Sequence, residues 1–162
     1  MNSTRLSHIT TRLAAVAAYG LALVLTVFVG GCHNAELWDE VPEEISQFIT
    51  RYFPGSQLED YGHGNDSYHV RLESGPGLSF DNEFAWTAIN GYGMPLPQVL
   101  IFDQLPPRMY DYIQETEQLN GVFAISRDNT TYTATLLDNT ISYNIRTGTL
   151  TGSDATQTGS RM

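Results

Sequence analysis

Two segments of the chain show the periodicity of an amphipathic helix. The first repeats apolar residues at positions i, i+3, i+4 and i+7: Ile45, Phe48, Ile49 and Tyr52. This spacing predicts a helix with one apolar face, and Pro42 suits its first turn because proline loses no hydrogen bond there. The second segment follows Pro106 and places Met109, Tyr112 and Ile113 on one face. We therefore expect one helix in each half of the chain.

Alternating apolar and polar residues predict antiparallel strands after each helix. Tyr68, Val70 and Leu72 share one face of the first clear strand, and Leu78 and Phe80 continue the alternation after a glycine- and proline-rich turn. Further strands are predicted at 84–89, 122–127, 131–137 and 140–145. Each strand has a single apolar side, so we expect the helices to cover one face of the sheet and to leave a polar face open.

The two halves also resemble each other. The pair Val41-Pro42 and the strand pattern of Tyr68, Val70 and Leu72 both recur 64 residues later. This similarity predicts an α+β fold of two tandem repeats, each a helix followed by a three- to four-stranded antiparallel meander. The predicted boundaries are a first repeat at 41–93, a linker at 94–104 and a second repeat at 105–150.

The N-terminal segment is typical of a targeting signal. Arg5 and Arg12 precede an uncharged, largely apolar run of 17 residues, and two glycines then lead to Cys32, the only cysteine. Val29-Gly30-Gly31-Cys32 is similar to a bacterial lipobox. We therefore predict a lipoprotein signal peptide at 1–31 and lipidation of Cys32. A retained anchor helix is the alternative, because such a run is at the lower limit for crossing a bilayer.

The segments that flank the predicted repeats are polar. Residues 32–40 form an acidic stretch that we interpret as a tether between the lipid and the folded part. Residues 151–162 are small and polar without periodicity, which favours a disordered tail. We expect the protein to be attached to the cell envelope by its N-terminal lipid, on a periplasmic or surface face.

Composition narrows the possible functions. The chain has 162 residues, 8 arginines, no lysine and 18 acidic residues, for a net charge of −10. Such an acid excess argues against nucleic-acid binding, which depends on cationic contacts to phosphate. A single cysteine excludes an intrachain disulfide and a cysteine-based zinc site.

No motif for catalysis is evident. The chain contains neither a Gly-x-Ser-x-Gly elbow nor a lysine that would support a Ser-Lys dyad. The acidic pairs are adjacent in sequence and so diverge in a helix or strand, which favours solvated charge over an acid–base couple. We therefore predict no enzymatic activity and no cofactor. An envelope hydrolase would need a carboxylate pair formed between the repeats, which the sequence does not reveal.

The order of motifs resembles that of the PepSY-like family, also described as β-lactamase-inhibitor-like, whose members are small secreted bacterial proteins. The residues that carry the resemblance are Tyr52-Phe53-Pro54-Gly55, Tyr68, Val70, Leu72, Gly75, Phe80-Asp81 and Trp86. It covers roughly residues 41–150. The resemblance implies a fold of two helix–meander repeats with their sheets side by side, and it implies no established activity.

The open sheet face is the leading candidate for function. We predict that it docks an envelope protein or peptide, and inhibition of that partner is one form such docking would take. The predicted partner-binding residues are His69, Arg71, Ser79, Trp86, Thr133, Thr135 and Asn144. Trp86 is either an exposed anchor or a core residue, and Tyr92, Met94 and Leu96 would add an apolar lip.

A small-ligand or metal carrier is the alternative function. His63, Asp66 and His69 would be its metal ligands, because zinc commonly binds imidazole and carboxylate. Against it, the strand alternation points His69 toward the open face, while His63 lies in a glycine-rich loop. The site prediction therefore includes no metal.

Overall fold

A computed structural model describes residues 32–152 of the protein, and only the backbone of residues 32–35. The predicted signal peptide, the side chain of Cys32 and the chain beyond residue 152 lie outside this part. The helices are α1 (Cys32–Glu40), α2 (Glu43–Tyr52), α3 (Gln98–Gln104) and α4 (Pro107–Glu115), and a short 3₁₀ turn spans Leu119–Gly121. The strands are β1 (Leu58–His63), β2 (Ser67–Leu72), β3 (Gly77–Asp81), β4 (Trp86–Asn90), β5 (Val122–Arg127), β6 (Thr131–Leu136), β7 (Thr140–Asn144) and β8 (Leu150–Thr151).

Helix α2 confirms the first predicted helix. Its residues Ile45, Ile49 and Tyr52 are buried, as their spacing requires. Glu43 and Glu44 occupy the first turn and Arg51 the last, which suits the helix dipole at both ends.

Helix α4 confirms the second predicted helix, with Pro107 in its first turn and Met109 and Ile113 buried. A further helix, α3, precedes it within the segment that was predicted to be a linker. Leu100 and Ile101 of α3 are buried, so this segment belongs to the folded core. The predicted tether is also helical, since residues 32–40 form α1.

The two-repeat fold class predicted from the sequence was wrong. All eight strands form one antiparallel sheet, in the order β1 to β8. Strand β4 pairs directly with β5, where Ala88 lies opposite Ser126 and Ile89 opposite Ile125. Backbone hydrogen bonds therefore cross the expected boundary and make one continuous sheet. The similarity between the halves reflects local patterns, which do not report how distant strands pair.

One hydrophobic core serves the whole sheet. Buried residues of α2, α3 and α4 belong to the same cluster as alternate residues of the strands, including Val70, Leu78, Ile89, Ile125 and Ala134. Leu37 and Trp38 of α1 pack against this cluster. The helices thus lie on one side of the sheet, and the strand residues between the buried positions form an open face. Within residues 32–152, no helix combines the length and apolarity needed to span a bilayer.

Candidate partner-binding face

The open face is built from residues that alternate with the core positions of the strands. The pairing registers define its members as Asp60, Gly62, Ser67, His69, Arg71, Gly77, Ser79, Asp81, Ala88, Asn90, Ala124, Ser126, Thr131, Thr133, Thr135, Thr140, Ser142, Asn144 and Thr151. Most of these side chains are short. On β5 to β8 the open-face positions hold only alanine, serine, threonine and asparagine, so this half of the face is uncharged in an acidic protein.

His69 and Ser79 are brought together by the pairing of β2 with β3. The Nδ1 atom of His69 lies 3.1 Å from the Ser79 hydroxyl, and its Nε2 atom lies 3.1 Å from the Ser67 hydroxyl. Both ring nitrogens are therefore engaged by hydroxyl groups. This arrangement orients the imidazole, but it includes no carboxylate that would prepare the histidine to act as a base.

Arg71 lies beside the same pair and carries the main positive charge of this region. Its Nε atom donates to Glu59 at 3.0 Å, and its guanidinium carbon lies 4.7 Å from the ring centre of Tyr92. The ion pair is exposed and contributes little to stability. The guanidinium also lies over the aromatic ring of Tyr92, a cation–π contact that arginine favours.

Tyr92 reaches the open face from the loop after β4. Its backbone φ is +48°, a left-handed value that is unfavourable for a bulky residue. The Asn90 side chain accepts a hydrogen bond from the Tyr92 amide at 2.7 Å, and the Gly91 amide donates to the Phe123 carbonyl at 2.8 Å. These bonds fix the loop, so the tyrosine is held in position while 59% of it stays exposed.

Two glycines make room for this loop. A Cβ at Gly77 would lie 2.9 Å from Cε2 of Tyr92, and a Cβ at Gly75 would collide with the methyl group of Met94. The loop therefore approaches the sheet more closely than any other residue at these positions would allow. Of the predicted lip, Tyr92 and Met94 are exposed, whereas Leu96 is buried in the core.

A groove lies between the tyrosine and the sheet. Its volume is about 370 Å³. The side chains and glycines that line it on the open face are Asp60, His69, Arg71, Gly77, Ser79, Ala88, Asn90 and Tyr92. The sequence predicted His69, Arg71 and Ser79 among these, but not Asp60, Gly77 or Asn90. The proximity of Gly77 to Tyr92 depends on tertiary packing, and no local pattern reports it.

Trp86 does not lie on the open face: of the two placements that the sequence left open, the structure has the core residue and not the exposed anchor. It is only 3% exposed, and its indole donates to Oε1 of Gln104 at 2.6 Å. Its register partner is the fully buried Phe80, while Ser79 pairs with Ala88, so Thr87 forms a bulge between these pairs. The bulge breaks the strand alternation and turns Trp86 toward the helices.

The remaining predicted residues lie away from the groove. Thr133 and Thr135 are on the open face of β6, within its uncharged half. The Oδ1 atom of Asn144 accepts hydrogen bonds from the amides of Arg146 and Thr147 at 3.1 and 2.9 Å. Asn144 therefore stabilises the turn between β7 and β8.

The alternative metal ligands do not assemble into a site. The ring of His63 stacks on Tyr68 at 4.4 Å, and the nitrogens of His69 are bound to serines. Across residues 32–152, no three histidine, cysteine or acidic side chains are placed to hold a metal ion together.

Comparisons with known proteins identify the fold. No family model and no curated protein matches the chain. A solved structure from Bacteroides vulgatus, described as a periplasmic protein of the DUF2874 family, matches with a TM-score of 0.56 and 23% identity over 67% of this chain and 86% of that one. A second, from Bacteroides thetaiotaomicron and described as a calcium-regulated periplasmic protein, matches with a TM-score of 0.55 and 21% identity over 70% and 89%.

A third neighbour, also from Bacteroides vulgatus, is described as a periplasmic protein of unknown function. It matches with a TM-score of 0.58 and 20% identity over 72% of this chain and 94% of that one. At these identities the likeness shows a shared fold. The resemblance to the PepSY-like family stays a prediction, because one neighbour is described under another family name and no family model supports the resemblance.

Proposed function

We propose that the protein is a non-enzymatic binding module of the bacterial cell envelope, which docks a protein or peptide partner on the open face of its sheet. The groove beside Tyr92 is the anchor point of this interface. The structural neighbours, which are described as periplasmic, support an envelope location. Lipidation of Cys32 would tether the module to a membrane.

The exposed ring of Tyr92 is the observation that carries the proposal. A bulky side chain at positive φ costs free energy, on the order of 1–3 kcal/mol, and such strain concentrates where a ligand is held. Here the strain presents an aromatic ring stacked on Arg71, with more than half of the residue accessible. Tyrosine and arginine are enriched among the residues that dominate interface energetics.

The rest of the face suits an extended polypeptide. Ser79 and Asn90 in the groove, together with the threonines beyond it, offer hydroxyl and amide groups to a partner's backbone. Because Ala88, Ser126 and Thr133 form a row of short side chains across three strands, a segment would cross the sheet without steric obstruction. An inhibitory action would follow if the docked segment belonged to the partner's active surface.

The test compares two exposed aromatic residues on opposite sides of the molecule. Full-length protein, purified in detergent, is used to capture partners from the source cell's envelope. Tyr92→Ala should abolish capture of the specific partner, while Phe102→Ala should retain it, because Phe102 is 62% exposed but lies on α3, on the helix side. Equal capture by both variants would contradict the proposal.

A second variant separates the groove from the flat half of the face. Thr133→Arg places a long cation in the row of short side chains and should block a partner that crosses the sheet. Circular dichroism must show the folded state in each variant. Mass spectrometry of the membrane fraction tests the anchor: Cys32 should carry acyl chains, and Cys32→Ala should release the protein from the membrane.

A further inference from the structure

Strand β1 lies at a free edge of the sheet. Within residues 32–152 it pairs only with β2, whereas every other strand except β8 has a neighbour on both sides. Strand β8, at the opposite edge, has two residues, while β1 has six. An edge strand exposes unpaired backbone N–H and C=O groups, which can pair with the backbone of another chain. The edge at β1 is therefore the longer of the two pairing surfaces.

The hydrogen-bond register shows which backbone groups of β1 point away from the sheet. Beside the turn between β1 and β2, the Gly64 amide donates to the Ser67 carbonyl at 2.8 Å. Hydrogen-bonded and non-hydrogen-bonded pairs alternate along an antiparallel ladder, so Gly62 directs its N–H and C=O toward β2. The residues on either side of it, Tyr61 and His63, therefore direct their N–H and C=O outward.

The ladder between β2 and β3 agrees with this assignment. The Leu72 amide donates to the Pro76 carbonyl at 2.9 Å, at the start of that ladder. By the same alternation Val70 bonds to β3, and its neighbour His69 bonds to Gly62 on β1. The backbone groups of β2 that face β1 are thus taken up without the outward-directed residues of β1.

Residues 60–63 lack the features that commonly block edge pairing. Natural edge strands are blocked by proline, by lysine or by a β-bulge. In β1 the register shift lies at Glu59, before this stretch, and the stretch itself contains neither proline nor lysine. A Cβ at Gly62 would meet no atom within 4 Å, so the open-face side of the edge has room for a side chain of a partner.

Two acidic side chains lie beside the free edge. Asp60 is exposed and lies on the open face, next to Gly62. Glu40, the last residue of α1, lies near Tyr61: burial is the main cause of the raised pKa of Tyr61, and electrostatic interactions with Tyr68 and Glu40 contribute to it. The ion pairs within residues 32–152 include neither of these carboxylates. Both are available to attract a cationic side chain.

We propose that β1 binds an extended segment of another protein as a ninth strand of the sheet, and that this segment carries lysine or arginine at alternate positions. Backbone hydrogen bonds to Tyr61 and His63 would supply the affinity, and cationic side chains beside Asp60 would supply the selectivity. A second copy of the chain does not suit this edge. Antiparallel pairing of two β1 strands would bring acidic residues 59 and 60 of both copies together, and like charges across paired strands are destabilising. The edge is a different surface from the groove beside Tyr92, so this inference goes beyond the function proposed above.

A synthetic peptide of about ten residues, long enough to cover β1, tests the edge directly. It alternates lysine with valine and threonine, and its control carries glutamate in place of each lysine. Because backbone hydrogen bonds supply the affinity, a peptide of simple sequence is a sufficient probe. Full-length protein in detergent should bind the lysine peptide with a Kd below about 1 mM. The glutamate peptide should bind at least about tenfold more weakly, since like charges oppose its approach.

Amide hydrogen exchange, measured by NMR, reports the binding mode. With the lysine peptide bound, exchange should slow at the amides of Tyr61 and His63, which point outward in the free protein. The Gly62 amide already bonds to β2, so its exchange should change little.

Two pairs of variants separate backbone pairing from charge. His63→Pro removes the outward N–H and no bond to β2, so it should weaken binding by about threefold or more. His63→Ala loses the same ring, keeps the N–H and should bind like wild type. Asp60→Asn should weaken binding by about twofold or more at low salt. Asp111→Asn, which removes the same charge from an exposed position of α4, should have no effect.

Four results would overturn the proposal: no binding of the lysine peptide up to about 5 mM, equal binding of the two peptides, binding that leaves the amides of Tyr61 and His63 unprotected, or equal losses in His63→Pro and His63→Ala. If circular dichroism shows that His63→Pro does not fold, the exchange measurement and the Asp60→Asn comparison decide. The probe is synthetic and involves no envelope partner, so failure here would leave the function proposed for the open face unaffected.

Discussion

The ring of Tyr92 lies directly over Gly77, so close that a Cβ at position 77 would come within 2.9 Å of Cε2 of the ring. The glycine and the tyrosine together set the shape of the groove. Gly77 forms its floor on β3, and Tyr92 forms its wall. The geometry of the proposed interface thus depends on the absence of a Cβ atom at Gly77.

The substitution Gly77→Ala should displace the tyrosine without unfolding the protein. Gly77 lies in a strand at an ordinary φ, where alanine is tolerated and reduces the flexibility of the unfolded chain. The side chain of Tyr92 would have to move aside instead. We expect partner binding to fall at least about tenfold while the free energy of unfolding changes by less than about 1 kcal/mol. Urea denaturation and a binding titration measure the two effects; a large loss of stability would show that the ring cannot yield.

The strain at Tyr92 can be isolated by comparing two truncations. Tyr92→Ala and Tyr92→Gly both remove the ring and its contact with Arg71, but only glycine adopts φ +48° without strain. The glycine variant should therefore be more stable than the alanine variant by about 1 kcal/mol. Both should lose partner binding. Greater stability of the alanine variant would mean that the loop holds no strain at this position.

A polar network links the sheet to the helices behind it. Gln104 accepts from the Trp86 indole at 2.6 Å and donates to the Tyr52 hydroxyl at 2.6 Å. The Tyr52 hydroxyl in turn donates to Asp103 at 3.1 Å, and burial is the main cause of the raised pKa of Tyr52. The network therefore joins β4, α3 and α2.

Breaking the network at its centre should be costly. Gln104→Leu leaves the Trp86 indole without its acceptor and the Tyr52 hydroxyl without its donor. We therefore expect the free energy of unfolding to fall by about 2–4 kcal/mol. The matched control is Gln114→Leu, at an exposed position of α4, which should change stability by less than about 0.5 kcal/mol. Chemical denaturation monitored by tryptophan fluorescence compares them. A loss of stability in Gln104→Leu no larger than that in Gln114→Leu would contradict the proposed role of the network.

The turn after β5 contains an aspartate, Asp128, whose pKa can be measured by titration. The hydroxyl and amide of Thr130 and the amide of Thr131 donate to Oδ1 of Asp128, and these hydrogen bonds lower the pKa of Asp128. A lowered folded-state pKa contributes stability above the ordinary aspartate pKa, and that contribution is lost as the pH falls through the folded value.

The substitution Thr130→Ala removes the hydroxyl donor and keeps the backbone ones. We expect it to raise the pKa of Asp128 toward the ordinary range. Titration of the Asp128 carboxyl by NMR measures the change, and Thr147→Ala, in the turn after β7, serves as the control. An unchanged pKa in the Thr130 variant would show that the backbone amides alone account for the shift.

Local patterns in the sequence were sufficient to predict helices α2 and α4 and most of the strands, but not helices α1 and α3. Ile45 and Ile49 lie one helical turn apart, and Val70 and Leu72 alternate along a strand, so each pattern reports its own element. Pairing of β4 with β5 was not predictable in the same way. It depends on contacts such as Ala88 with Ser126, which are distant in sequence.

The residues of the candidate site were likewise predictable only where a local pattern reports them. His69, Arg71 and Ser79 were assigned to the open face because regular alternation holds along β2 and β3. The sequence did not show on which face of the sheet Trp86 lies, because the bulge at Thr87 interrupts the alternation of strand β4.

The most direct test of the central claim is site-specific photocross-linking in the source cell. A photoreactive residue placed at position 92 should cross-link a single partner protein, and the same residue at position 102 should not, although both native side chains are about equally exposed, at 59% and 62%. Added Gly77→Ala should suppress the cross-link at position 92. A partner captured at position 102 and absent at position 92 would contradict the account, since the helix side would then be the interface.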